Sequence, residues 1–137
     1  MNYIDKQERL TEELSAAQEL AGQTGILIQH GKRLPAMWSG YRTSANMLGG
    51  CLSKTWFVCE VTHEGLLHIE GESDSLILRG VIEIMRSCLD GEPAREVDAC
   101  RIVWHLQSGI IDSMPSHRQN AVTQMIDKIR AALSVET

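Results

Sequence analysis

The sequence has no C-x-x-C pair, no excess of basic residues and no apolar run long enough to cross a membrane. Each absence removes a class of function. Without a C-x-x-C pair among Cys51, Cys59, Cys88 and Cys100, the usual opening of a structural zinc motif is missing. The net charge of −5 argues against nucleic acid as the main partner, because such sites present a basic face. The apolar runs are a few residues long, against the roughly 20 that a spanning helix needs, so no membrane partner is expected. Met1–Asp5 places no basic stretch ahead of an apolar one. No secretory signal is read there, and a cytoplasmic location is expected. In that compartment cysteines stay reduced, so a disulfide framework is not expected either.

What is present is ordinary for a soluble chain. The 137 residues are 43% apolar and 23% charged, enough for one domain over residues 1–137 with a core of its own. Residues 4–30 read as two helices broken near Ser15, where Ser15 and Gln18 have capping-box spacing. Leu10, Leu14, Ala17 and Ala21 recur at helical period and are expected to face the core. Gly31 sits where a left-handed C-cap is expected. Residues 32–50 form an irregular connector that mixes Arg33, Trp38, Tyr41 and Arg42. It reads either as a surface loop whose Trp38 caps the core or as a docking rim for a protein partner.

Thr55 to Val61 and Leu66 to Gly71 alternate with period two around His63-Glu64-Gly65, which predicts a hairpin. His68 and Glu70 are expected to face water. A short strand near Ala45–Leu48 would make the sheet three-stranded. Residues 73–90 give the strongest helix signal, with Ser73 or Asp74 as cap and Gly91 as stop. Arg79, Glu83 and Arg86 form its narrow polar face; the rest is apolar and must be covered on several sides. Cys88 is then a core residue, and Gly80 marks a close approach by the sheet. Residues 93–107 read as one or two short helices with Pro93 in a first turn. Val97, Cys100, Val103 and Trp104 share a stripe, which places Cys100 in the core. Pro115-Ser116 opens the last helix, with Val122, Met125, Ile126, Ile129 and Leu133 as its buried stripe. The fold class expected is α+β: a small three-stranded antiparallel sheet with helices packed mainly on one face.

The stretch Asn46-Met47-Leu48-Gly49-Gly50-Cys51-Leu52-Ser53-Lys54-Thr55-Trp56 stands apart. Paired glycines directly before a cysteine, with a strand just after, place Cys51 on a tight turn with its sulfur displayed. That suits a nucleophilic thiolate. The plainer reading is a small apolar residue that follows a turn.

Gly50-Cys51-x-Ser53-x-x-Trp56, preceded by Tyr41-Arg42-Thr43-x-x-Asn46, resembles the SufE/CsdE family of cysteine desulfurase activators. Gly31-Lys32-Arg33-Leu34-Pro35 upstream, Gly71-Glu72-Ser73-Asp74 leading into Ile77 and Gly80, and Arg118, Val122 and Met125 near the end follow in the family's order. The resemblance spans about residues 20 to 133. It implies a SufE/IscU-like fold and a cysteine, Cys51, that accepts persulfide sulfur from a pyridoxal-phosphate-dependent cysteine desulfurase. It further implies that the protein stimulates that enzyme and passes the sulfur to an acceptor such as a cluster scaffold. No cofactor of its own is implied, and the chain is expected as a monomer or homodimer. Gly49, Gly50, Tyr41, Arg42, Lys54 and Arg118 are implied to support the loop or dock the partner. Leu52 departs from the polar residue, commonly glutamine, that the family has after its cysteine. Ala121 stands where the family has glycine, one extra residue separates Pro115 from Arg118, and the second helix lacks the family's aromatics.

A thiol with pKa near about 8.5 is only a few per cent ionised at neutral pH. Lys54, Arg33, Arg42 and Arg118 are therefore the cations expected near Cys51. Alternatives of other classes are sulfur delivery of the CsdE type to another acceptor such as a tRNA-modifying system, an IscU-like metal or cluster scaffold, a thiol hydrolase using a histidine base, and a pure interaction domain.

Overall fold

A computed structural model describes residues 1–17 and 19–134. It is an α+β fold with helices α1 (Tyr3–Ala16), α2 (Leu20–Gly31), α3 (Leu76–Leu89), α4 (Trp104–Gln107) and α5 (Ser116–Ser134), and strands β1 (Thr55–Val61) and β2 (Leu67–Ser73).

Asn2 starts α1. Its side chain accepts from the Ile4 and Asp5 N–H groups at 3.1 and 3.0 Å, and the Asp5 carboxylate accepts from Asn2 N–H. This reciprocal capping box satisfies donors that the first turn leaves orphaned. Leu10 and Leu14 are buried as expected, whereas Ala21 is exposed. Gln7 is buried and both ends of its amide are engaged: its Nε2 donates to the Arg101 carbonyl, and its Oε1 accepts from the Val103 and Trp104 N–H groups. The chain does break between Ala16 and Leu20, with Glu19 as the N-cap of α2. The Gln18 half of the expected capping box lies outside the described residues.

α3 is the central element, and α2 packs along it. Gly80 is the reason the two can meet. A Cβ on Gly80 would lie 2.0 Å from the Leu27 carbonyl oxygen, and one on Gly31 would lie 3.0 Å from Gly80 N. The close neighbour of Gly80 is thus helix α2 and not the sheet. Gly31 is the last residue of α2 and takes no left-handed cap conformation. The glycine that the sheet requires is Gly71, where a Cβ would lie 2.8 Å from Ile82 Cγ2 of α3. Ser75 caps α3 through the Leu78 N–H, one to two residues later than the sequence indicates. Glu83 is buried instead of facing water, because both its oxygens accept from the Arg86 guanidinium.

β1 and β2 pair antiparallel, from Thr55 opposite Ser73 to Val61 opposite Leu67. The expected third strand reduces to a single bridge, Met47 with Trp56, plus a Leu48 N–H bond to the Thr55 carbonyl. Ser44–Asn46 turns as a 3-10 helix, and the Asn46 amide donates to the Tyr41 carbonyl at 3.0 Å. That local closure pulls the chain off the strand edge. One sheet face meets α3 through β2, where Gly71 lies against Ile82. The other is crossed by the 38–42 connector. Arg42 stacks over Trp56 at 4.5 Å, Tyr41 Oη donates to Glu60 Oε2, and Trp38 N–H donates to Glu70 Oε1.

Val122, Met125, Ile126, Ile129 and Leu133 of α5 are all buried, as their spacing indicates. Between α3 and α5 the chain makes two 3-10 turns, Ala94–Glu96 and Ala99–Arg101, before α4. These break the helical period, so Cys100 is exposed while Val97 and Trp104 are buried. Among the described residues no helix is long and apolar enough to cross a membrane.

Candidate functional site

Cys51 lies in the loop between the Met47 bridge and β1. Leu48 before it and Thr55 after it are buried, so the loop is anchored at both ends. Between the anchors Gly49, Gly50 and Leu52 are exposed, Leu52 to 84%. Gly50 takes φ +68° with open space around the position of a Cβ. A side chain there would have room and would be strained by the backbone alone.

The loop rests on the N-terminal half of α5. His117 and Gln124 are seven residues apart, two helical turns, and so lie on one face of α5. The Cys51 sulfur sits 3.9 Å from the His117 carbonyl oxygen and 3.6 Å from that of Gly49. Gly49 N–H donates to Gln124 Oε1 at 3.0 Å, and Gln124 Nε2 donates to the Gly49 carbonyl at 2.6 Å. Gln124 escapes the sequence reading because its partner is 75 residues away and its side chain breaks no pattern in α5.

The thiol is half-buried. Burial pushes the Cys51 thiol up from its ordinary value. Its two sulfur contacts are carbonyl oxygens, which suit a neutral S–H and oppose a thiolate. The lowering expected from neighbouring cations is therefore absent from this resting arrangement. Arg42 is engaged with Trp56 and Tyr41 with Glu60, both on the sheet. Lys54 is exposed, and its carbonyl accepts from Asp74 N–H. Arg118 is half-buried in the first turn of α5, beside His117, and makes no ion pair among the described residues.

The other cysteines occupy different settings. Cys59 is pushed up to about 12 by burial, with Asp90 and Glu60 adding to the effect. Cys88, buried on α3, is pushed up to about 11, chiefly by burial. Cys100 is exposed. Among the described residues no three His, Cys, Asp or Glu side chains gather as a metal-holding group.

The fold is α+β and rests one half-buried cysteine, Cys51, in a loop against its last helix, apart from the buried Cys88 and the exposed Cys100. The chain belongs to the SufE family: the family's sequence profile, described as an Fe-S metabolism associated domain, matches residues 8–133. An uncharacterised SufE-like protein of Rhizobium meliloti (strain 1021) is 32% identical over 130 residues, covering 90% of this chain and 91% of that protein. The sulfur acceptor protein CsdE of Escherichia coli (strain K12) is 32% identical over 73 residues, 53% of this chain and 50% of CsdE. In solved structures, the solution structure of a hypothetical protein from Thermus thermophilus superposes with a TM-score of 0.67 at 14% identity. It covers 94% of this chain and 96% of that one, a likeness of fold.

Proposed function

We propose that the protein is a sulfur acceptor for a pyridoxal-phosphate-dependent cysteine desulfurase, with Cys51 as the acceptor. In this reading the Cys51 thiolate attacks the outer sulfur of the enzyme's cysteine persulfide. A new S–S bond forms on Cys51, the enzyme's own S–S bond breaks, and its thiolate leaves. Sulfane sulfur changes hands with no net oxidation. The persulfide then passes to a cluster scaffold, or to another acceptor such as a tRNA-modifying system.

The observation that carries the reading is the setting of Cys51. It is sheltered on α5, where reductants reach it poorly, and held by a glycine loop that can carry it outward. The resting pose, with its raised thiol, is the storage state; the reactive state is the loop swung toward the partner. Gly49 and Gly50 supply that swing, and Tyr41, Arg42, Lys54 and Arg118 supply the docking surface. The CsdE name borne by one relative supports the same class of role.

The test is desulfurase turnover, followed as alanine released from cysteine with and without this protein. Stimulation by wild type that is lost with Cys51→Ser supports the reading. Equal stimulation by both proteins would leave an interaction domain whose cysteine is idle.

A further inference from the structure

Three hydrogen-bond contacts tie the Cys51 loop to α5, two between Gln124 and Gly49 and one from the Cys51 sulfur to the His117 carbonyl. The Gly49 carbonyl oxygen accepts from Gln124 Nε2 at 2.6 Å and lies 3.6 Å from the Cys51 sulfur. Gln124 Oε1 also takes the Gly49 N–H at 3.0 Å. A single primary amide thus pairs with both polar groups of one backbone residue, as a neighbouring strand would. Apart from Cys51 itself, no other side chain among the described residues hydrogen-bonds the 49–52 segment. Leu52, at 84% exposure, adds no apolar anchor. The docked pose therefore depends on Gln124, on the placement of the cysteine sulfur at the His117 carbonyl and on the packing of Cys51 against the core.

We propose that Gln124 is a positioning residue: a latch whose paired hydrogen bonds to Gly49 set the fraction of time that Cys51 spends docked on α5. A two-state loop responds to any group that favours one state over the other, by that group's differential interaction. Gln124 bonds the loop only when it is docked. Losing both bonds shifts the docked-to-free ratio by roughly tenfold, given the modest net worth of neutral hydrogen bonds. Releasing the latch also lets the Cys51 sulfur leave the His117 carbonyl, one of the two oxygens that oppose a thiolate. The consequence for sulfur traffic rests on the acceptor reading above. The latch itself can be measured without a desulfurase.

The experiment compares wild type with Gln124→Met, which keeps the reach of the side chain and loses both polar groups, and with Gln124→Glu. The glutamate keeps an acceptor for Gly49 N–H and sets a carboxylate against the Gly49 carbonyl. Cysteines are alkylated with iodoacetamide at one pH and followed by peptide mass mapping. Exposed Cys100 serves as the reference for reagent, and buried Cys88 as the reference for folding. The latch predicts Cys51 labelling faster by roughly tenfold in Gln124→Met, and faster also in Gln124→Glu. Cys100 and Cys88 should be unchanged, as should the thermal midpoint. Cys51 labelling at the wild-type rate in both folded variants would overturn the proposal. So would a rise at Cys51 matched at Cys88, which would mark general loosening. Sulfur uptake from a desulfurase, measured on the same proteins, separates the two claims. Faster labelling with no uptake even by wild type would sustain the latch and refute the acceptor reading.

Discussion

The crossing of α2 and α3 and the loop around Cys51 both depend on glycine, for opposite reasons. At the crossing, a Cβ on Gly80 would sit 2.0 Å from the Leu27 carbonyl oxygen, so the missing side chain is filled by another backbone. In the loop, nothing lies within 4 Å of where a Cβ would stand on Gly49 or Gly50. There glycine supplies conformational freedom, and at Gly50 a left-handed backbone. The same residue type lets two helices touch in one region and widens the backbone angles open to the other. The region of the crossing also keeps its thiol inert: Cys88 is buried on α3. The loop leaves its thiol half-buried, the setting from which the proposed function has it delivered.

The largest expected effect breaks the helix-crossing side of this comparison. Gly80→Ala forces helix axes apart or bends α3, at a cost of about 3 kcal/mol or more. Urea unfolding should show the loss, and an unchanged midpoint would mean that the crossing yields easily. Next is the loop side. Gly50→Val strains the docked loop by about 2 kcal/mol. The strain should be relieved by undocking, leaving the core's unfolding midpoint nearly unmoved while sulfur uptake quickens several-fold. Uptake at the wild-type rate would show that this glycine is no hinge.

The smallest effect concerns pH. Cys88 and Cys59 have folded-state values raised to about 11 and about 12, above the ordinary thiol value of about 8.5. The fold therefore favours their neutral forms. That contribution is complete below about pH 8.5 and is lost as pH rises through the folded-state values, by at most about 1.4 kcal/mol per pH unit for each thiol. Urea midpoints measured from neutral to alkaline pH should fall in wild type. They should fall less steeply in Cys88→Ala, whatever its lower starting stability. Parallel curves would assign the alkaline loss to other groups.

Much of this arrangement can be read from the chain, and the rest depends on partners remote in sequence. The α5 stripe from Val122 to Leu133 and the alternation of β1 and β2 are local patterns, and the structure keeps them. The glycines before Cys51 point to a displayed turn, and Cys51 does lie on an exposed loop. Its shelter against α5 is not legible, because it depends on Gln124 and the His117 carbonyl. Gly80 signals a close approach without naming what approaches. Cys100 reads as core only while residues 93–107 are taken as helical. Once two 3-10 turns reset the period, its side chain falls outside. The third strand fails for a similar local reason, the Asn46 side chain closing a turn where pairing would begin.

The most direct test of the central claim is the intact mass of wild type and Cys51→Ser after incubation with a cysteine desulfurase and cysteine. A gain of one sulfur atom on wild type, absent from the variant, is the result expected of a Cys51 acceptor. A gain on both proteins would move the chemistry to another thiol, with exposed Cys100 the first to examine. No gain on either, across several desulfurases, would contradict the account and leave a SufE-family fold without its sulfur chemistry.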